Sequence, residues 1–566
     1  MSTVLIPKPT TTVTVAGHVV KVKTGSTVTL DETQEYVTAE LELPMPDEAV
    51  VEDIDPRDGV RAVISSRIGG GPIRTFDVGV RERTIDHKKK TVTLSCASDE
   101  TLVGDYAPLV DDTGAFVHQG SLRAVIGYVL GKIGAVLEPG AADVPMTVFA
   151  DGRNMFPDPH VASLAGFDAT RCTRAYDAVF PGSMGGAVGF GVQLSAPTGT
   201  DAFVSVQGDT GALRLGMVAG RTYTLSASGS VRAAVSGAVS ALARRITIWY
   251  RVGAGAYVTT SSPPLPTDVN ASTRVAVTVT LPPGTTEAFV RAYHGHAAGT
   301  VTWGQWRLTE KTTHPGPIDT EFFTGSFTDT PGYQYDWEGA VNASPSKRTA
   351  LAARPPEALH WLAGVSGWDF LIPLTSSSGM RLFCDEARRW WLVTRDHMQP
   401  GVLAATAGNT REGTDTITRD GDLWADGVVA RFRWRGVNGV PLDQTDTAGT
   451  AGKVLTFDFD RPYPGPGTAA FILNRMQGQG RSQEVVTVTN YAATPSMEAR
   501  LTMPDTAVQI GRVTRVEFGL TEGFMVLGSR GLTDTPDTAY IYGDPGIRYQ
   551  DVPAGMTYNT FDWSLI

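Results

Sequence analysis

Apolar and polar residues alternate along most of this chain, which is the pattern of strands that bury one face. Residues 37–46 (VTAELELPMP) are a clear example, because Ala39, Leu41 and Leu43 would share one face of a strand. Further alternating segments lie at residues 60–69, 74–86 and 91–100. The polar run Asp86–Lys90 predicts a hairpin tip between the last two. This spacing predicts a small β-barrel or a split sandwich in the first 150 residues.

Three segments have the spacing of amphipathic helices. Residues 121–134 place leucine, valine and isoleucine on one face, with Ser121 as a suitable N-cap. Residues 355–368 begin at a proline pair and predict a second helix, and residues 468–478 predict a third. The run 368–374 (WDFLIPL) is interpreted as a strand.

The central region is rich in glycine, serine, threonine and valine. Short strand patterns recur there about ten residues apart, at 187–196, 201–208, 221–231, 244–252, 273–282, 287–296 and 301–310. This composition and spacing predict an antiparallel β-sandwich of the jelly-roll type. The aromatic, turn-rich stretch Phe322–Ser346 follows, and we interpret it as the seam where an inserted module ends and an interrupted domain resumes.

The patterns divide the chain into four predicted parts. Residues 1–150 form an N-terminal β-barrel with the helix at 121–134, and residues 151–336 form the inserted jelly roll. Residues 337–531 continue the first domain with a helix, a hairpin and a second β-barrel, and residues 532–566 form an extended tail. The predicted fold class is mainly β, with two barrels, a few covering helices and one β-sandwich.

Composition narrows the function. The chain has 566 residues and a formal charge of -11, so we expect no nucleic-acid binding, which needs basic surfaces. Its three cysteines are scattered without a CxxC pair, so neither a disulfide framework nor a zinc site is expected. No apolar run reaches 18 residues, and the N-terminus lacks the order of a signal peptide. We therefore predict a protein made in a cytoplasm, without a membrane span.

Catalytic motifs are absent from the sequence: it has no G-x-S-x-G, no Walker loop and no G-x-G-x-x-G between a strand and a helix. His294 and His296 would share one face of a strand, but without a third ligand a polar strand end is favoured over a metal site. Carboxylate pairs such as Asp385 and Glu386 are interpreted as surface charge. We predict no enzyme activity and no catalytic residues. A glycan hydrolase stays open as an alternative, because its two acids can lie anywhere in a chain.

Aromatic residues of the central region suggest a sugar platform. In residues 244–252 (RRITIWYRV), isoleucines alternate with Trp249 and Arg251. If the aliphatic face is core, Trp249 faces outward beside Arg251, and a flat ring beside a forked donor can stack on a sugar and bind its hydroxyls. Tyr257 and Tyr293 are further candidates for carbohydrate binding. The alternative is that Trp249 packs under a loop.

The segments that flank the central region resemble the tail-hub (baseplate hub) family of tailed phages. The resemblance is carried by residues 75–107, 358–370, 460–476 and 508–520. The central region resembles the carbohydrate-binding jelly rolls inserted in minor tail proteins of phages of actinobacteria. Its marks are NMFPDP at 154–159, WGQWRLTE at 303–310 and the seam YDWEG…NASPS at 335–346.

This resemblance implies two tube-like β-barrels per chain and a homotrimer that forms a ring at the tail tip of the virion. It implies the distal tail protein, the tape-measure protein and other minor tail or fibre proteins as partners. Host cell-surface glycan is the partner expected for the module. No cofactor is predicted, because no residue here closely matches a calcium motif. A structural calcium in the jelly roll stays open, since related jelly rolls often hold one near their N-terminal loop.

Three functions therefore compete. In the first, residues 1–150 and 337–566 belong to one interrupted structural body without an active site, and the jelly roll projects from it. In the second, the protein is a cell-wall glycan hydrolase with an appended sugar-binding module, and one half should hold a deep cleft with paired acids. The third is a secreted sugar-binding protein, which the absent signal peptide disfavours.

Overall fold

The structure is a computed structural model of the chain. It describes residues 7–531 with gaps at 33–34, 179–190, 196, 199–200, 209, 311–319, 352–353, 407, 419–423, 437–440, 477–480 and 503–508. The tail predicted at residues 532–566 lies outside the described residues, as do residues 187–190 and 196 of the strand predicted at 187–196. The other half of that strand is described as Gly191–Ser195.

Strands supply most of the regular structure. In the first part of the chain they are β1 (Pro9–Val15), β2 (His18–Val20), β3 (Thr27–Asp31), β4 (Val37–Pro44), β5 (Arg61–Ile68), β6 (Arg74–Asp86) and β7 (Thr91–Ala97). In the middle they are β8 (Gly152–Asn154), β9 (Phe167–Thr170), β10 (Thr173–Asp177), β11 (Gly191–Ser195), β12 (Phe203–Val206), β13 (Thr222–Ala238), β14 (Ile246–Val252), β15 (Val258–Ser261), β16 (Ser272–Thr280), β17 (Thr285–Tyr293), β18 (His296–Glu310), β19 (Tyr333–Trp337) and β20 (Ser346–Ala350). In the last part they are β21 (Met380–Cys384), β22 (Trp390–Thr394), β23 (Val402–Thr406), β24 (Thr410–Ile417), β25 (Gly427–Arg435), β26 (Pro441–Gly449), β27 (Val454–Phe459), β28 (Arg481–Val488), β29 (Glu498–Thr502), β30 (Gln509–Gly519) and β31 (Phe524–Gly531).

Helices are short by comparison. The α-helices are α1 (Glu48–Asp53), α2 (Glu100–Asp105), α3 (Leu122–Gly131), α4 (Gly367–Ser377) and α5 (Thr468–Met476). Single 3₁₀ turns form at Pro56–Asp58, Gly114–His118 and Pro356–Leu359. The predicted mainly β class is confirmed. The predicted helices at 121–134 and 468–478 are confirmed as α3 and α5.

The prediction of two β-barrels is wrong for the part of the chain that the structure describes, because no sheet there closes on itself. Instead, thirteen strands from both ends of the chain form one sheet, whose main path runs β2-β1-β5-β6-β7-β4-β3-β30-β31-β28-β24. Strand β3 pairs with β30 and places Val28 opposite Phe518. A sheet closes into a barrel when its two edge strands pair with each other. Because β3 and β30 pair with each other, neither strand is left to close a separate barrel.

The two ends of the chain also share one core beneath this sheet. The ring of Phe518 lies 5.9 Å from that of Phe76 and 5.0 Å from that of Tyr491, measured between centroids. The Arg74 guanidinium lies over both phenylalanine rings, at 5.2 Å and 5.6 Å. Neither end therefore buries its apolar surface alone.

The hairpin of β21 and β22, predicted within residues 380–396, is fastened to the N-terminal strands at its turn. Glu386 pairs with Arg74 at 2.8 Å, and Arg388 pairs with Asp99 at 2.8 Å. The hairpin thus extends the contact between the two ends of the chain.

The prediction of a helix at 355–368 and a strand at 368–374 is wrong. Only Pro356–Leu359 form a 3₁₀ turn in the first segment, and α4 begins at Gly367 and includes the second. Gly364 takes a φ of +78°, which interrupts any continuous helix. Ser366 then caps α4, since its hydroxyl accepts a hydrogen bond from the Asp369 amide at 3.0 Å.

The predicted β-sandwich is formed by two five-stranded sheets, with strand orders β10-β11-β18-β13-β16 and β15-β14-β17-β12-β9. Both are antiparallel along these paths. Trp303 and Trp306 are fully buried in the core between the sheets, together with aliphatic side chains of both.

A small sheet of order β19-β20-β8 lies where the chain enters and leaves the sandwich. The entering strand β8 pairs antiparallel with the leaving strand β20. Asn154, at the end of β8, is fully buried, and its side-chain amide donates to the carbonyls of Trp306 and Phe323 at 2.9 and 3.2 Å. The seam is therefore bonded to the sandwich core.

Candidate functional site

The outer face of the sheet β15-β14-β17-β12-β9 carries an aromatic cluster. Alternation directs Ile246 and Ile248 of β14 into the sandwich core, where both are fully buried. Trp249, between Ile248 and Tyr250, is half-buried on the opposite face, directly across from Phe289 of β17. We call this side of the sheet the aromatic face and define it by Phe203, Trp249, Phe289 and Arg291, of which Phe203 and Phe289 are buried.

Two rings of the aromatic face are parallel. The centroids of Trp249 and Phe289 are 6.5 Å apart and their planes differ by 3°. Tyr257 meets both edge-on, with centroid distances of 6.5 Å to Trp249 and 5.6 Å to Phe289. A flat aromatic ring with a second aromatic ring in edge-on contact is suited to stacking on the C–H face of a sugar.

Arg291 lies among the rings of this face. Its guanidinium carbon is 4.1 Å from the centroid of Phe203, 5.0 Å from that of Trp249 and 4.9 Å from that of Phe289. Such cation–π packing holds the guanidinium plane in place. The guanidinium of Arg291 also places several N–H donors next to the Trp249 ring.

Glu287 organises one end of the face. It forms an ion pair with Arg251, accepts a hydrogen bond from the Tyr257 hydroxyl at 2.5 Å and another from the Gly211 amide at 2.9 Å. These bonds, led by that of Tyr257, lower the pKa of Glu287. The carboxylate is therefore ionised at neutral pH and holds two loops against the sheet.

Some donors of the face have no partner. The indole Nε1 of Trp249 and the Nε of Arg251 are buried and make no hydrogen bond in the structure. Buried donors without acceptors are uncommon in native proteins. Since both atoms are shielded from solvent, a ligand hydroxyl reaches them only if the surrounding side chains move.

The structure makes three of the four predicted residues direct neighbours and places the fourth beside Phe203 and Arg291 of the same face. Trp249, Arg251 and Tyr257 are neighbours, and the Arg251 guanidinium lies 5.0 Å from the Tyr257 ring. Tyr293 is on the same face but almost completely buried, packed 5.3 Å from Phe203 between centroids. Arg251 forms an ion pair with Glu287, so only some of its guanidinium N–H groups are available for a ligand.

Sequence reasoning missed Phe203, Glu287, Phe289 and Arg291. The last three alternate along β17, and this period-two signal could have found them in EAFVRAYHGH. Phe203 carries no such signal, because its place on the face depends on the pairing of β12 with β17.

The histidine pair is not arranged to bind a metal. His294 is buried, its Nε2 lies 3.1 Å from the Gly299 carbonyl oxygen, and its Nδ1 accepts from the His296 amide at 3.2 Å. Burial lowers the pKa of both imidazoles. Among the described residues no group of three or more His, Cys, Asp or Glu could hold a metal ion.

A cleft of about 550 Å³ opens in the large body between β3, α4, β21 and α5. A hydrolase would need free acids in such a cleft. Glu32 is bound by Arg381 and Arg512 at 3.0 and 2.9 Å. Glu100 accepts hydrogen bonds from two backbone amides and a serine hydroxyl. Both carboxylates are held within the fold, but Asp31, Glu35 and Asp369 also line the cleft, so the hydrolase alternative stays open.

No described helix is both long and apolar enough to cross a membrane. No family model and no curated protein matches this chain.

Among solved structures, the chain is similar to the 43 kDa tail protein of prophage MuSo2 from Shewanella oneidensis, with 8% identity and a TM-score of 0.36 over 92% of this chain and 98% of that one. A tail protein from Neisseria meningitidis MC58 gives 8% identity and a TM-score of 0.36 over 92% and 96% of the two chains. The CBM22-1 xylan-binding domain of Paenibacillus barcinonensis Xyn10C gives 9% identity and a TM-score of 0.21 over 29% and 94%. These TM-scores are too low to establish a common fold.

Proposed function

We propose that this chain is a structural protein of a phage tail, built as an interrupted body that carries a glycan-binding β-sandwich. The pairing of β3 with β30 carries the proposal, because it makes one body from the two segments that flank the sandwich. The same two segments hold the residues that resemble the tail-hub family. A body of this kind is expected of a structural virion protein.

In this proposal the body comprises residues 1–150 and 337–531, and residues 151–336 form the projecting module. Three copies form a hub ring at the tail tip, which joins the tail tube to the distal tail proteins. The partners are the distal tail protein, the tape-measure protein and other minor tail or fibre proteins. The chain has no catalytic role.

The aromatic face is the proposed glycan site. Trp249 supplies the stacking ring, and Arg291 supplies donors for hydroxyl groups. One such site is expected to bind weakly, but three copies on a ring gain avidity on the order of 10²–10⁴. Weak sites are therefore sufficient for attachment to a cell surface.

Electron cryomicroscopy of the purified protein, or of the particle that contains it, tests the structural part. The expected result is a threefold ring with the body around a lumen and the sandwich projecting outward. A monomer with an open catalytic cleft would contradict it.

Binding to an array of cell-wall glycans tests the site. We expect Trp249→Ala to lose binding by roughly tenfold or more, because it removes the stacking ring. Trp337→Ala is the matched control, since Trp337 is also half-buried but lies in β19, outside the aromatic face. Equal binding by both variants would place the glycan site elsewhere.

A further inference from the structure

Two basic side chains lie without partners at one end of the β-sandwich. His296, the first residue of β18, is 5% exposed, and neither of its ring nitrogens bonds to any residue that the structure describes. Arg244 lies two residues before β14, and its Nε and Nη1 are buried and equally without a described partner. Buried polar groups in native proteins nearly always have a hydrogen-bond partner. We call Arg244 and His296 the basic pair.

The backbone brings the basic pair together. The Arg244 amide donates to the His294 carbonyl at 3.4 Å. Gly295, between the two histidines, has a φ of +63°, and a Cβ there would lie 2.5 Å from the Cα of Ala243. A glycine permits both the backbone angle and the close approach. The segments at 243–244 and 294–296 are therefore in direct contact.

His294 fixes the position of His296. Its Nδ1 accepts from the His296 amide at 3.2 Å, so its ring proton lies on Nε2, which donates to the Gly299 carbonyl at 3.1 Å. The register of β13 against β18 shifts nearby, between Ala233 and Ser236. Such irregular pairing redirects side chains, often next to functional sites. His294 is thus a neutral support, and His296 is the imidazole left with free nitrogens.

The basic pair carries positive charge that no described carboxylate balances. Burial, and after it the charge of Arg245, lower the pKa of Arg244. Burial, and after it the charges of Arg244 and His294, lower the pKa of His296. The charged forms of both side chains are therefore disfavoured in this structure. A sheltered cation without a partner destabilises the folded state, and a bound anion removes that cost.

We propose that the basic pair binds a small oxyanion group, a carboxylate or a phosphate. A guanidinium presents parallel N–H donors that match two oxygens of such a group, and a neutral imidazole adds one donor. Arg244 is only half-buried, and its Nη2 is not shielded as its other two nitrogens are, so an anion can approach there. The nitrogens of His296 are shielded, so contact with them requires side-chain movement.

Two sources can supply this group: a free ion such as inorganic phosphate, or the acidic group of a glycan. A site for a free ion is independent of the proposed function. A site for an acidic glycan deepens the proposed function and rests on it. His294 directly follows Tyr293, which packs on Phe203 of the aromatic face, so the basic pair lies near that end of the face.

Thermal unfolding of the full chain in inorganic phosphate tests the site, with sodium chloride of equal ionic strength as the reference. Phosphate should raise the melting temperature of the wild type, because a ligand that binds the folded state stabilises it. Arg244→Gln should lose this rise. In chloride it should melt no lower than the wild type, because the substitution removes a sheltered charge that lacks a partner.

Arg221→Gln is the matched control for Arg244→Gln. Arg221 is an exposed arginine next to β13 of the same sandwich, where it pairs with Glu310 at 3.2 Å. This variant should keep the full rise in phosphate, so it measures the general effect of the salt on stability. Isothermal titration calorimetry gives the affinity, which Arg244→Gln should weaken by roughly tenfold or more, because it removes a charged donor.

An array of matched acidic and neutral glycans separates the two sources. If Arg244→Gln loses only the acidic glycans, a glycan supplies the group. A phosphate response without a preference for acidic glycans identifies a free ion, and both results support the site.

The same phosphate response in Arg244→Gln as in the wild type and Arg221→Gln would overturn the site. A wild type that responds neither to phosphate nor to acidic glycans would also overturn it. The glycan site on the aromatic face would survive both results, because Trp249→Ala tests it with neutral glycans.

Discussion

Asn154 lies directly opposite Ser346 in the antiparallel pair of β8 and β20, so the strand that enters the β-sandwich is bonded to the strand that leaves it. Both residues are fully buried. The Asn154 side chain also accepts hydrogen bonds from the amides of Phe156 and Leu308 at 3.1 and 3.2 Å. One amide group therefore joins the entry strand, the seam and the sandwich.

Replacement of Asn154 by alanine should destabilise the sandwich by roughly 3 kcal/mol, because buried backbone groups lose their partners. Differential scanning calorimetry should show a lower melting temperature for the transition that includes the sandwich. Gln334→Ala, at an exposed position of the neighbouring strand β19, should leave it unchanged. Equal melting temperatures for the two variants would show that the hydrogen bonds of Asn154 contribute little to the stability of the sandwich.

Arg74 should matter more than an ordinary surface arginine. Its side chain is 10% exposed, pairs with Glu386 and donates to the carbonyls of Tyr491 and Ala493 at 2.9 and 2.6 Å. Arg74→Ala should cost roughly 3 kcal/mol of unfolding free energy, measured by urea titration, because it leaves a partly buried carboxylate and two carbonyls without a donor.

The control for Arg74 is Arg433→Ala, whose pair with Asp458 is exposed on both sides. It should change the unfolding free energy by less than about 1 kcal/mol. If the two substitutions cost the same, the Arg74 pair does not fasten the hairpin to the N-terminal strands.

Gly295 should not tolerate a side chain. Its φ is +63°, and a Cβ there would lie 2.5 Å from the Cα of Ala243. Gly295→Ala should lower the stability of the sandwich by roughly 2 kcal/mol or more, through backbone strain and this clash. Gly253→Ala separates the two effects, since Gly253 has a φ of +57° but nothing within 4 Å of the added Cβ. The melting temperature of Gly253→Ala should fall less than that of Gly295→Ala, and this smaller decrease would measure backbone strain alone.

Glu100 should make stability depend on pH. Burial raises its pKa from 4.5 to about 7. The folded chain therefore holds this proton more tightly than the unfolded chain, so the contribution of Glu100 to stability falls as pH rises from about 4.5 to about 7. In Glu100→Gln this part of the pH profile should vanish, measured as melting temperature against pH.

Glu35→Gln is the control for that experiment, because Glu35 lines the same cleft but is exposed. Its pH profile should match the wild type. Parallel profiles for wild type and Glu100→Gln would mean that another group titrates in this range.

Local structure could largely be predicted from the sequence. Strand β4 buries Val37, Ala39, Leu41 and Leu43, as alternation indicates, and α3 begins after its Ser121 cap. These features depend on residues within a few positions of each other. The pairing of β3 with β30 could not be predicted in this way, because its strands come from opposite ends of the chain. Two barrels were expected for that reason.

The error at α4 also has a local cause. The proline pair at 355–356 suggested a helix start, but Gly364 at positive φ and the Ser366 cap move the start to Gly367. The apolar run that follows is short, and periodicity alone does not separate a short buried helix from a strand.

For the candidate site, alternation along β14 placed Trp249 outside the aliphatic core, and the structure has it there. Alternation does not reveal which strand lies beside another. Alternation along β17 could place Glu287 and Phe289 on one face, but their pairing with Arg251 and Trp249 follows only from the register of β14 and β17. The binding role of these residues stays a prediction.

The pairing of β8 with β20 at the seam has an evolutionary consequence. Because Asn154 and Ser346 are paired, two adjacent strands join the sandwich to the body, as in a long hairpin whose tip is the sandwich. Chain termini that lie close together are what domain insertion requires. A different module with adjacent ends is expected to fit at this position, so under the proposed function the recognised surface can change while the assembly is kept.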